Sequence, residues 1–289
     1  MLIVAGPASQ ELGRKLASIT GRELCELEHK IFPDGESYIR FKTKLEDKEL
    51  VIVQGTHPPQ DRHIIQLMLL VDAAREEGAS KIKLVIPYMA YARQDRKFLE
   101  GEAVSIDTIL KTLKNLGTDE IYTVNIHSLP VVERSPIPIK NIDASGLLAS
   151  YILQVGVDNP LVVSPGKKGE LMAAEVANVL ETDFATVTSR RDPVTGEVTV
   201  DIDANPRGRD VVFVDDIIST GGTAVKTVKK LRELGAARVI VTCVHGLFIG
   251  DADKKIIEAG AALILSTDTI PNDYATATIA GLLIPYIGL

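Results

Sequence analysis

The stretch that decides the fold runs from residue 211 to residue 223 and reads Val211-Val212-Phe213-Val214-Asp215-Asp216-Ile217-Ile218-Ser219-Thr220-Gly221-Gly222-Thr223. Its first four residues are apolar and predict a strand that is buried on both faces. The residues from Ala224 to Leu234 have the apolar spacing of a helix. The acids and small residues therefore form a loop that joins the end of a strand to the start of a helix.

A strand-to-helix loop of this composition is suited to binding a phosphate. Unpaired backbone N–H groups and the helix dipole favour an anion there, and glycines let it approach the backbone. The loop supplies these glycines and three hydroxyl donors, namely Ser219, Thr220, Gly221, Gly222 and Thr223. Asp215 and Asp216 would repel a phosphate, so they fit better against sugar hydroxyls or a bound magnesium ion. The alternative without a ligand is a strand, an acidic turn and a helix cap.

The composition is that of a globular protein with room for two cores. The chain has 289 residues, 45% hydrophobic and 25% charged, which favours two domains. Its net charge of -7 and its lack of tryptophan argue against nucleic acid and anionic membranes as partners. No apolar run approaches the ~20 residues that span a bilayer. Two distant cysteines and an apolar start that predicts a strand rather than a signal peptide lead us to expect a cytoplasmic protein.

Short apolar runs alternate with amphipathic segments, which predicts an α/β fold with mainly parallel sheets flanked by helices. The Pro-rich residues 135–141 separate two similar halves, so we place the domains at residues 1–140 and 141–289. The expected strands are 2–5, 50–54, 82–86, 121–125, 161–164, 184–188, 211–214, 239–244 and 263–266. The expected helices are 10–20, 61–77, 105–116, 145–154, 170–180, 224–234 and 252–259.

Ligands of such sheets bind at the carboxyl ends of the strands, where three further segments carry polar residues. Residues 93–97 place three cations and an amide after one strand, a density that suits a polyphosphate but also occurs in solvated loops. His127 follows another strand, although a lone histidine is more often structural. Residues 164–169 form a Gly- and Lys-rich entry to a helix. Elsewhere, Phe32-Pro33-Asp34-Gly35-Glu36 predicts a turn.

The stretch from Asp215 to Thr223 resembles the phosphoribosyl pyrophosphate binding signature of phosphoribosyltransferase-type proteins. Residues 32–36 and Tyr91-Ala92-Arg93-Gln94-Asp95-Arg96-Lys97-Phe98 resemble nucleotide-binding segments of the ribose-phosphate diphosphokinases. This resemblance covers nearly the whole chain and implies two phosphoribosyltransferase-like domains, the last residues returning to the first. It also implies transfer of the β,γ-diphosphoryl group of Mg-ATP to the C1 hydroxyl of ribose 5-phosphate, giving 5-phosphoribosyl 1-pyrophosphate and AMP.

The resemblance implies roles for individual residues. Adenine would stack on Phe32 and donate to Asp34 and Glu36, a segment that often completes a neighbouring subunit's site in the family. We therefore expect a homo-oligomer, a dimer or higher. The ATP phosphates would meet Arg93, Gln94 and Arg96, and His127 would help to bind the Mg2+ that ATP carries. The ribose 5-phosphate would be held by Asp215, Asp216, Ser219, Thr220, Gly221, Gly222 and Thr223.

Two positions depart from the family pattern. Gly166 stands where the family has an aspartate that contacts metal or ribose phosphate, so backbone N–H groups and a lysine of residues 166–169 would replace it, or the loop is shifted by one residue. Ser189 stands where the family supplies a lysine to the transition state. Arg191 matches the arginine two residues further on, and Arg190 is the neighbour that could substitute for the lysine. The catalytic candidates are therefore Arg191, Arg190 and Ser189.

Two rival functions stay open. A catalytically weak paralogue that regulates an active synthetase would account for Gly166 and Ser189. A phosphoribosyltransferase would share the Asp-Asp loop, but it leaves the nucleotide-like segments of the first half without a role.

Overall fold

A computed structural model describes residues 1–191 and 198–288, with the backbone alone for residues 189–191 and 198–200. The described chain divides into two compact units. The first comprises Met1–Asp143, Thr269–Pro271 and Thr278–Leu289, and the second comprises Ala144–Asp268 and Asn272–Ala277. The sequence-based limit after residue 140 thus lies close to the unit limit at residue 143. The last residues group with the first unit.

The first unit is built on a five-stranded sheet in the order β1-β4-β5-β6-β7, whose neighbouring strands are all parallel. Its central strands are apolar and buried because helices cover them; Leu50 to Val53, for example, have no exposed surface. The strands of this unit are β1 Leu2–Ala5, β2 Leu27–Ile31, β3 Ser37–Phe41, β4 Glu49–Val53, β5 Lys81–Ile86, β6 Glu120–Val124 and β7 Ile139–Ile142. Its helices are α1 Gln10–Thr20, α2 Gln60–Glu76, α3 Ser105–Asn115 and α4 Leu129–Arg134.

A separate antiparallel hairpin, formed by β2 and β3, belongs to the first unit. Leu27 pairs with Phe41 and Ile31 with Ser37, so the strands are joined by residues 32–36. The residues of β2 and β3 are half-buried or exposed. The hairpin therefore presents its connecting turn to the surroundings.

The second unit is built on a seven-stranded sheet in the order β10-β9-β8-β11-β12-β13-β14. Neighbouring strands are parallel apart from the antiparallel pair of β9 and β10 at one edge. The strands are β8 Leu161–Ser164, β9 Phe184–Arg191, β10 Val198–Ile202, β11 Asp210–Ile218, β12 Arg238–Gly246, β13 Leu263–Thr267 and β14 Ala275–Ala277. The helices are α5 Ser145–Val155, α6 Glu170–Val179, α7 Gly222–Glu233 and α8 Ala252–Glu258.

The final helix, α9 Ala280–Ile287, belongs to the first unit. The buried ammonium group of Lys83 on β5 donates to the carbonyl of Ile287 at 3.0 Å. This bond satisfies one of the carbonyls that a helix leaves unpaired at its C-terminus. A hydrogen bond thus links β5 in the sheet of the first unit to helix α9.

The α/β class and the mainly parallel sheets predicted from the sequence are confirmed. One strand differs in a way that matters for the site, because β11 does not end at Val214 but continues to Ile218. Asp215 pairs with Cys243 and Ile217 with His245 of β12. Asp215 and Asp216 therefore lie within the strand rather than after it.

Candidate active site

The loop after β11 has the geometry of an anion site. Gly221 adopts φ 72° and ψ 3° and immediately precedes α7. The first backbone N–H groups of a helix have no partner within it, and among the described residues no side chain caps this helix. The exposed residues Gly222 and Thr223 form its first turn. The positive end of the helix dipole is thus open to a phosphate.

Gly221 is required at its position for two independent reasons. Its positive φ favours glycine over any residue with a Cβ. A Cβ there would also lie 3.0 Å from the Cβ of Ala252 and 3.4 Å from Cδ1 of Ile256, both on α8. The neighbouring Gly222 has open space around its Cβ position. The tight turn therefore depends on Gly221 rather than on the glycine pair.

The two acids near the end of β11, Asp215 and Asp216, are half-buried and held by the local backbone. Oδ1 of Asp215 accepts the N–H of Asp216 at 2.9 Å, and Oδ1 of Asp216 accepts the N–H of Ile217 at 2.8 Å. These bonds fix the orientation of each carboxylate. Both acids lie at the end of β11 that leads into the loop before α7.

The loop after β8 leads into α6 through a short turn. Lys167–Gly169 form a single 3-10 turn before α6, and Lys167 and Lys168 are exposed. Gly166 has an extended backbone, and a Cβ at this position would meet no atom within 4 Å. Neither sterics nor backbone conformation therefore explains why position 166 lacks the acid of the family pattern.

The turn Phe32 to Glu36 is confirmed as the tip of the β2–β3 hairpin. The N–H of Phe32 donates to the carbonyl of Glu36 at 2.8 Å, and Oδ1 of Asp34 accepts the N–H of Glu36 at 3.2 Å. The ring of Phe32 meets that of Tyr38 edge-on at 6.0 Å, and the Lys30 ammonium lies 4.8 Å from both ring centroids. The exposed tip is thus an aromatic surface with an adjacent cation, Lys30, to which no sequence pattern had pointed.

The cation-rich loop after β5, residues 93–102, is held by hydrogen bonds between its own residues. Oε2 of Glu102 accepts the N–H of Phe98 at 2.7 Å and that of Leu99 at 3.0 Å, and these bonds lower the pKa of Glu102. The same oxygen accepts the amide of Gln94 at 3.3 Å. Gln94 therefore braces the loop, while Arg93 and Arg96 are exposed.

Sequence reasoning missed Glu102. It lies six residues beyond Arg96, and no spacing rule connects an acid to such a loop. Only the path of the chain from residue 94 to residue 102 brings the carboxylate back to the backbone. The guanidinium of Arg96 lies 5.2 Å from the centroid of the Phe98 ring, which gives this loop a second internal contact.

His127 lies after β6 and is half-buried, and hydrogen bonds hold the two residues before it. The N–H of Ile126 donates to Oδ1 of Asn141 at 2.8 Å, and Nδ2 of Asn125 donates to Oδ1 of Asp143 at 2.8 Å. Because β5 and β6 are parallel neighbours, the cation-rich loop and His127 lie at the same edge of the sheet. The structure thus brings these two predicted segments together.

Two histidines to which the sequence assigned no role contact each other after β4. The rings of His57 and His63 lie 4.7 Å apart, and Nδ1 of His63 is 2.7 Å from the carbonyl of His57. Burial, with a smaller contribution from His63, lowers the pKa of His57 to about 4. His57 is therefore neutral at pH 7.

The catalytic candidates Ser189, Arg190 and Arg191 end β9, and their backbone pairs with Val200, Thr199 and Val198 of β10. Their side chains lie outside the described residues. Among the described residues, no three His, Cys, Asp or Glu side chains form a group that could hold a metal ion. In that same part of the chain, no helix is long and apolar enough to cross a membrane.

The parallel sheet and the Asp-Asp loop at a strand-to-helix junction define a phosphoribosyltransferase-type α/β protein. Residues 136–265 match the phosphoribosyl transferase domain. Residues 1–117 match the N-terminal domain of ribose phosphate pyrophosphokinase. The two matches cover most of both units.

Whole-chain relatives carry the same name. The ribose-phosphate pyrophosphokinase of Sulfolobus acidocaldarius is 37% identical over 281 residues, covering 96% of each chain. That of Methanobrevibacter smithii is 36% identical over 291 residues, covering 96% of this chain and 97% of the relative. The crystal structure of phosphoribosylpyrophosphate synthetase from Mycobacterium smegmatis matches with a TM-score of 0.88 and 26% identity, covering 100% of this chain and 97% of that one. The chain belongs to the ribose-phosphate pyrophosphokinase family, which confirms the family predicted from the sequence.

Proposed function

We propose that this protein is a ribose-phosphate diphosphokinase. The C1 hydroxyl oxygen of ribose 5-phosphate attacks the β-phosphorus of Mg-ATP and loses its proton. The bond from that phosphorus to the oxygen it shares with the α-phosphorus breaks, and AMP leaves. The carrying observation is that one chain of this family combines an open phosphate loop before α7 with a braced, cation-rich loop after β5.

The proposed sugar site is the loop after β11. The free N–H groups at the start of α7 and the hydroxyls of Ser219, Thr220 and Thr223 hold the 5-phosphate. Asp215 and Asp216 accept hydrogen bonds from the ribose hydroxyls, and the bonds to their own backbone keep them oriented before the sugar arrives. This preorganisation lowers the cost of fixing the sugar for in-line attack.

The proposed nucleotide site uses the exposed groups of the first unit. Phe32 stacks on adenine, Asp34 and Glu36 accept from the base, and Arg93 and Arg96 contact the phosphates. The bonds of Gln94 favour a bracing role for its amide over a ligand contact. The exposure of the hairpin tip is compatible with the tip completing a neighbouring subunit's site, so we propose a homo-oligomer, a dimer or higher.

Magnesium fits the donor set that the chain offers. Mg2+ prefers oxygen ligands, keeps several waters and is usually held by substrate phosphates with few protein groups. His127 would contribute one imidazole nitrogen, and phosphate oxygens and waters would complete the coordination. When bound, the ion neutralises phosphate charge, while Arg93, Arg96, Arg190 and Arg191 supply positive charge to the transferring group. We place the reaction in the cytoplasm, where the free, buried Cys25 and Cys243 stay reduced.

The test is an AMP-release assay on the purified full-length chain with Mg-ATP and ribose 5-phosphate. ATP labelled at the γ-phosphate should transfer its label to 5-phosphoribosyl 1-pyrophosphate, with one AMP per product. Label released only as inorganic phosphate, or AMP formed without ribose 5-phosphate, would contradict the proposal. A phosphoribosyltransferase would instead consume 5-phosphoribosyl 1-pyrophosphate when a nucleobase is supplied.

The second candidate function is a catalytically weak regulatory paralogue, which the serine at position 189 and the glycine at position 166 favour. Loss of one preorganised charge typically costs about 10²- to 10³-fold in turnover. If the chain is slow, Ser189→Lys should raise single-turnover AMP release without changing Michaelis constants. If Arg190 compensates, Ser189→Lys should change little and Arg190→Ala should nearly abolish release. If both variants match the parent, the catalytic assignment of this segment is wrong.

A further inference from the structure

Asp95 is the one acid among the cations of residues 93–97, and its surroundings are distinctive. Its Oδ2 accepts a hydrogen bond from the Ser128 hydroxyl at 2.6 Å. This bond, rather than the nearby Arg96 and Arg134, is the largest cause of the lowered pKa of Asp95. The carboxylate is therefore ionised and engaged within the protein. The side chain of Asp95 joins the loop after β5 to the segment after β6.

Ser128 occupies a position where its hydroxyl would ordinarily serve a different purpose. It immediately precedes α4 and is buried, and a serine in that place usually accepts an N–H from the first turn of its helix. In the described chain, however, α4 has no side-chain cap. The Ser128 hydroxyl instead donates to Asp95, thirty-three residues earlier in the sequence. The next residue toward the N-terminus is His127.

The backbone of Asp95 is braced as well. Nη2 of Arg134, the last residue of α4, donates to the carbonyl of Asp95 at 2.5 Å. Asp107 on α3 holds the same guanidinium, with 3.0 Å from Nε to Oδ1 and 2.9 Å from Nη2 to Oδ1. A charge-assisted pair with two contacts restricts the arginine more than one contact would. The helix α4 therefore contacts Asp95 from both of its ends.

We propose that Asp95 and Ser128 are positioning residues that couple the cation-rich loop to the His127 segment. The coupling fixes the distance between the loop arginines, Arg93 and Arg96, which bind the ATP phosphates, and His127, which binds the metal carried by those phosphates. Without it, Mg-ATP has to order the two segments itself on binding, which costs affinity. Metal-free ATP, which needs only the cation-rich loop, escapes this cost. The inference rests on the proposed nucleotide site.

The test is calorimetric titration of the full-length chain with Mg-ATP and, in parallel, with ATP in excess EDTA. Ser128→Ala removes the hydroxyl without changing charge. We expect it to weaken Mg-ATP about five- to tenfold, the scale of one lost intramolecular hydrogen bond. Metal-free ATP should bind within about twofold of the parent, because Arg93 and Arg96 are untouched. A general loss of folding would weaken both ligands together.

A double-mutant cycle makes the coupling explicit. Asp95→Ala should also weaken Mg-ATP, whereas metal-free ATP should bind equally or more tightly because a negative charge leaves a cationic loop. In the Asp95→Ala background, Ser128→Ala should have no further effect on Mg-ATP. Arg134→Ala, on an exposed side chain, is the second variant should Asp95→Ala fold poorly, and it should reproduce the selective loss of Mg-ATP affinity.

Glu102→Ala is the matched control. It cuts the bonds that shape the cation-rich loop but does not touch Ser128, so it should weaken ATP to the same extent with and without magnesium. The inference is overturned if Ser128→Ala weakens both ligands equally, weakens neither, or acts equally in both backgrounds. If the parent itself binds no ATP, both the proposed function and the inference are wrong. If the parent binds ATP and the variants bind it as tightly as the parent does, only the inference is wrong and the proposed function stands.

Discussion

The two regions proposed to bind ligands are built in opposite ways. The loop before α7 is a contiguous string whose function depends on backbone, with Gly221 turning the chain and unpaired N–H groups at the helix start. The nucleotide segments of the first unit are separated in sequence and depend on side chains. There, Glu102 and Asp95 hold loops that no regular backbone pattern would hold.

The difference has consequences for how each region tolerates change. A backbone site fails when a turn residue acquires a side chain that the turn cannot hold. A site built from several loops fails when a bond between loops is lost, even if every ligand-contacting residue is kept. Substitutions can therefore separate the two kinds of construction.

The largest effect is expected from Asp216→Asn in the contiguous loop. Asparagine keeps the Oδ1 acceptor for the N–H of Ile217, so the local backbone bond is preserved while the negative charge proposed to bind the sugar is lost. We expect kcat/KM for ribose 5-phosphate to fall about 10²-fold, with a much smaller change in the KM for ATP. Steady-state kinetics with each substrate varied in turn measures this. Glu175→Gln, an exposed acid on α6, makes the same charge change and should match the parent. Equal loss for both substrates would contradict the sugar assignment.

Gly221→Ala should break the backbone construction itself. The alanine Cβ meets α8 and the residue keeps a positive φ, so we expect a loss of about 2 kcal/mol in the free energy of unfolding. Gly222→Ala has open space and should change that free energy by about 0.5 kcal/mol or less. Urea unfolding of the two variants provides the comparison. Equal stabilities would mean that the turn does not depend on Gly221.

Phe32→Ala tests whether the exposed hairpin tip serves the nucleotide. Loss of base stacking should weaken ATP binding by about 1 to 3 kcal/mol and leave ribose 5-phosphate binding unchanged. Titration calorimetry with each ligand measures both. Ile19→Ala truncates another exposed apolar side chain of the first unit and should leave ATP binding unaffected. An unchanged dissociation constant for ATP in Phe32→Ala would reduce Phe32 to a turn residue.

The smallest effects are expected in the loop after β8. Gly166→Asp places a side chain where a Cβ meets no atom within 4 Å, so the free energy of unfolding should stay within about 0.5 kcal/mol of the parent. Gly169→Asp should cost more, because its Cβ would lie 3.2 Å from the Cβ of Ser164 and 3.3 Å from Cδ of Pro165. Thermal unfolding ranks the pair. The reverse order would show that this loop is arranged differently.

The elements that the sequence predicted well are those with a strong, local apolar pattern. The limits of β1, β8 and α1 agree with the expected ones, because buried strands and amphipathic helices carry their signal within a few residues. The hairpin strands β2 and β3 were not predicted, since their residues are half-buried or exposed and mix polar with apolar side chains. Helix α9 was missed because it is short and contains Pro285, which usually argues against a helix.

In the candidate site, too, the features that depend on local sequence were predictable and those that depend on distant contacts were not. Residues 215–223 could be read from the sequence because a strand, a turn and a helix start follow one another without interruption. The end of β11 could not be predicted from the sequence, since only pairing with β12 shows that Asp215 lies within the strand. The bracing role of Gln94 was equally hidden, because its partner Glu102 is identified by the path of the loop.

The sequence by itself determined the α/β class, the family and the contiguous strand, turn and helix start around residues 215–223, because these depend on residue order and on interactions within one strand-turn-helix unit. Tertiary structure alone decided that Lys83 bonds the carbonyl of Ile287 in the final helix, that Gly221 packs against α8, and that Ser128 bonds Asp95 instead of capping its own helix. The physical reason is that hydrogen bonds and close packing between distant segments depend on where the chain returns in space. The local periodicity of the sequence carries no information about which distant segments come into contact.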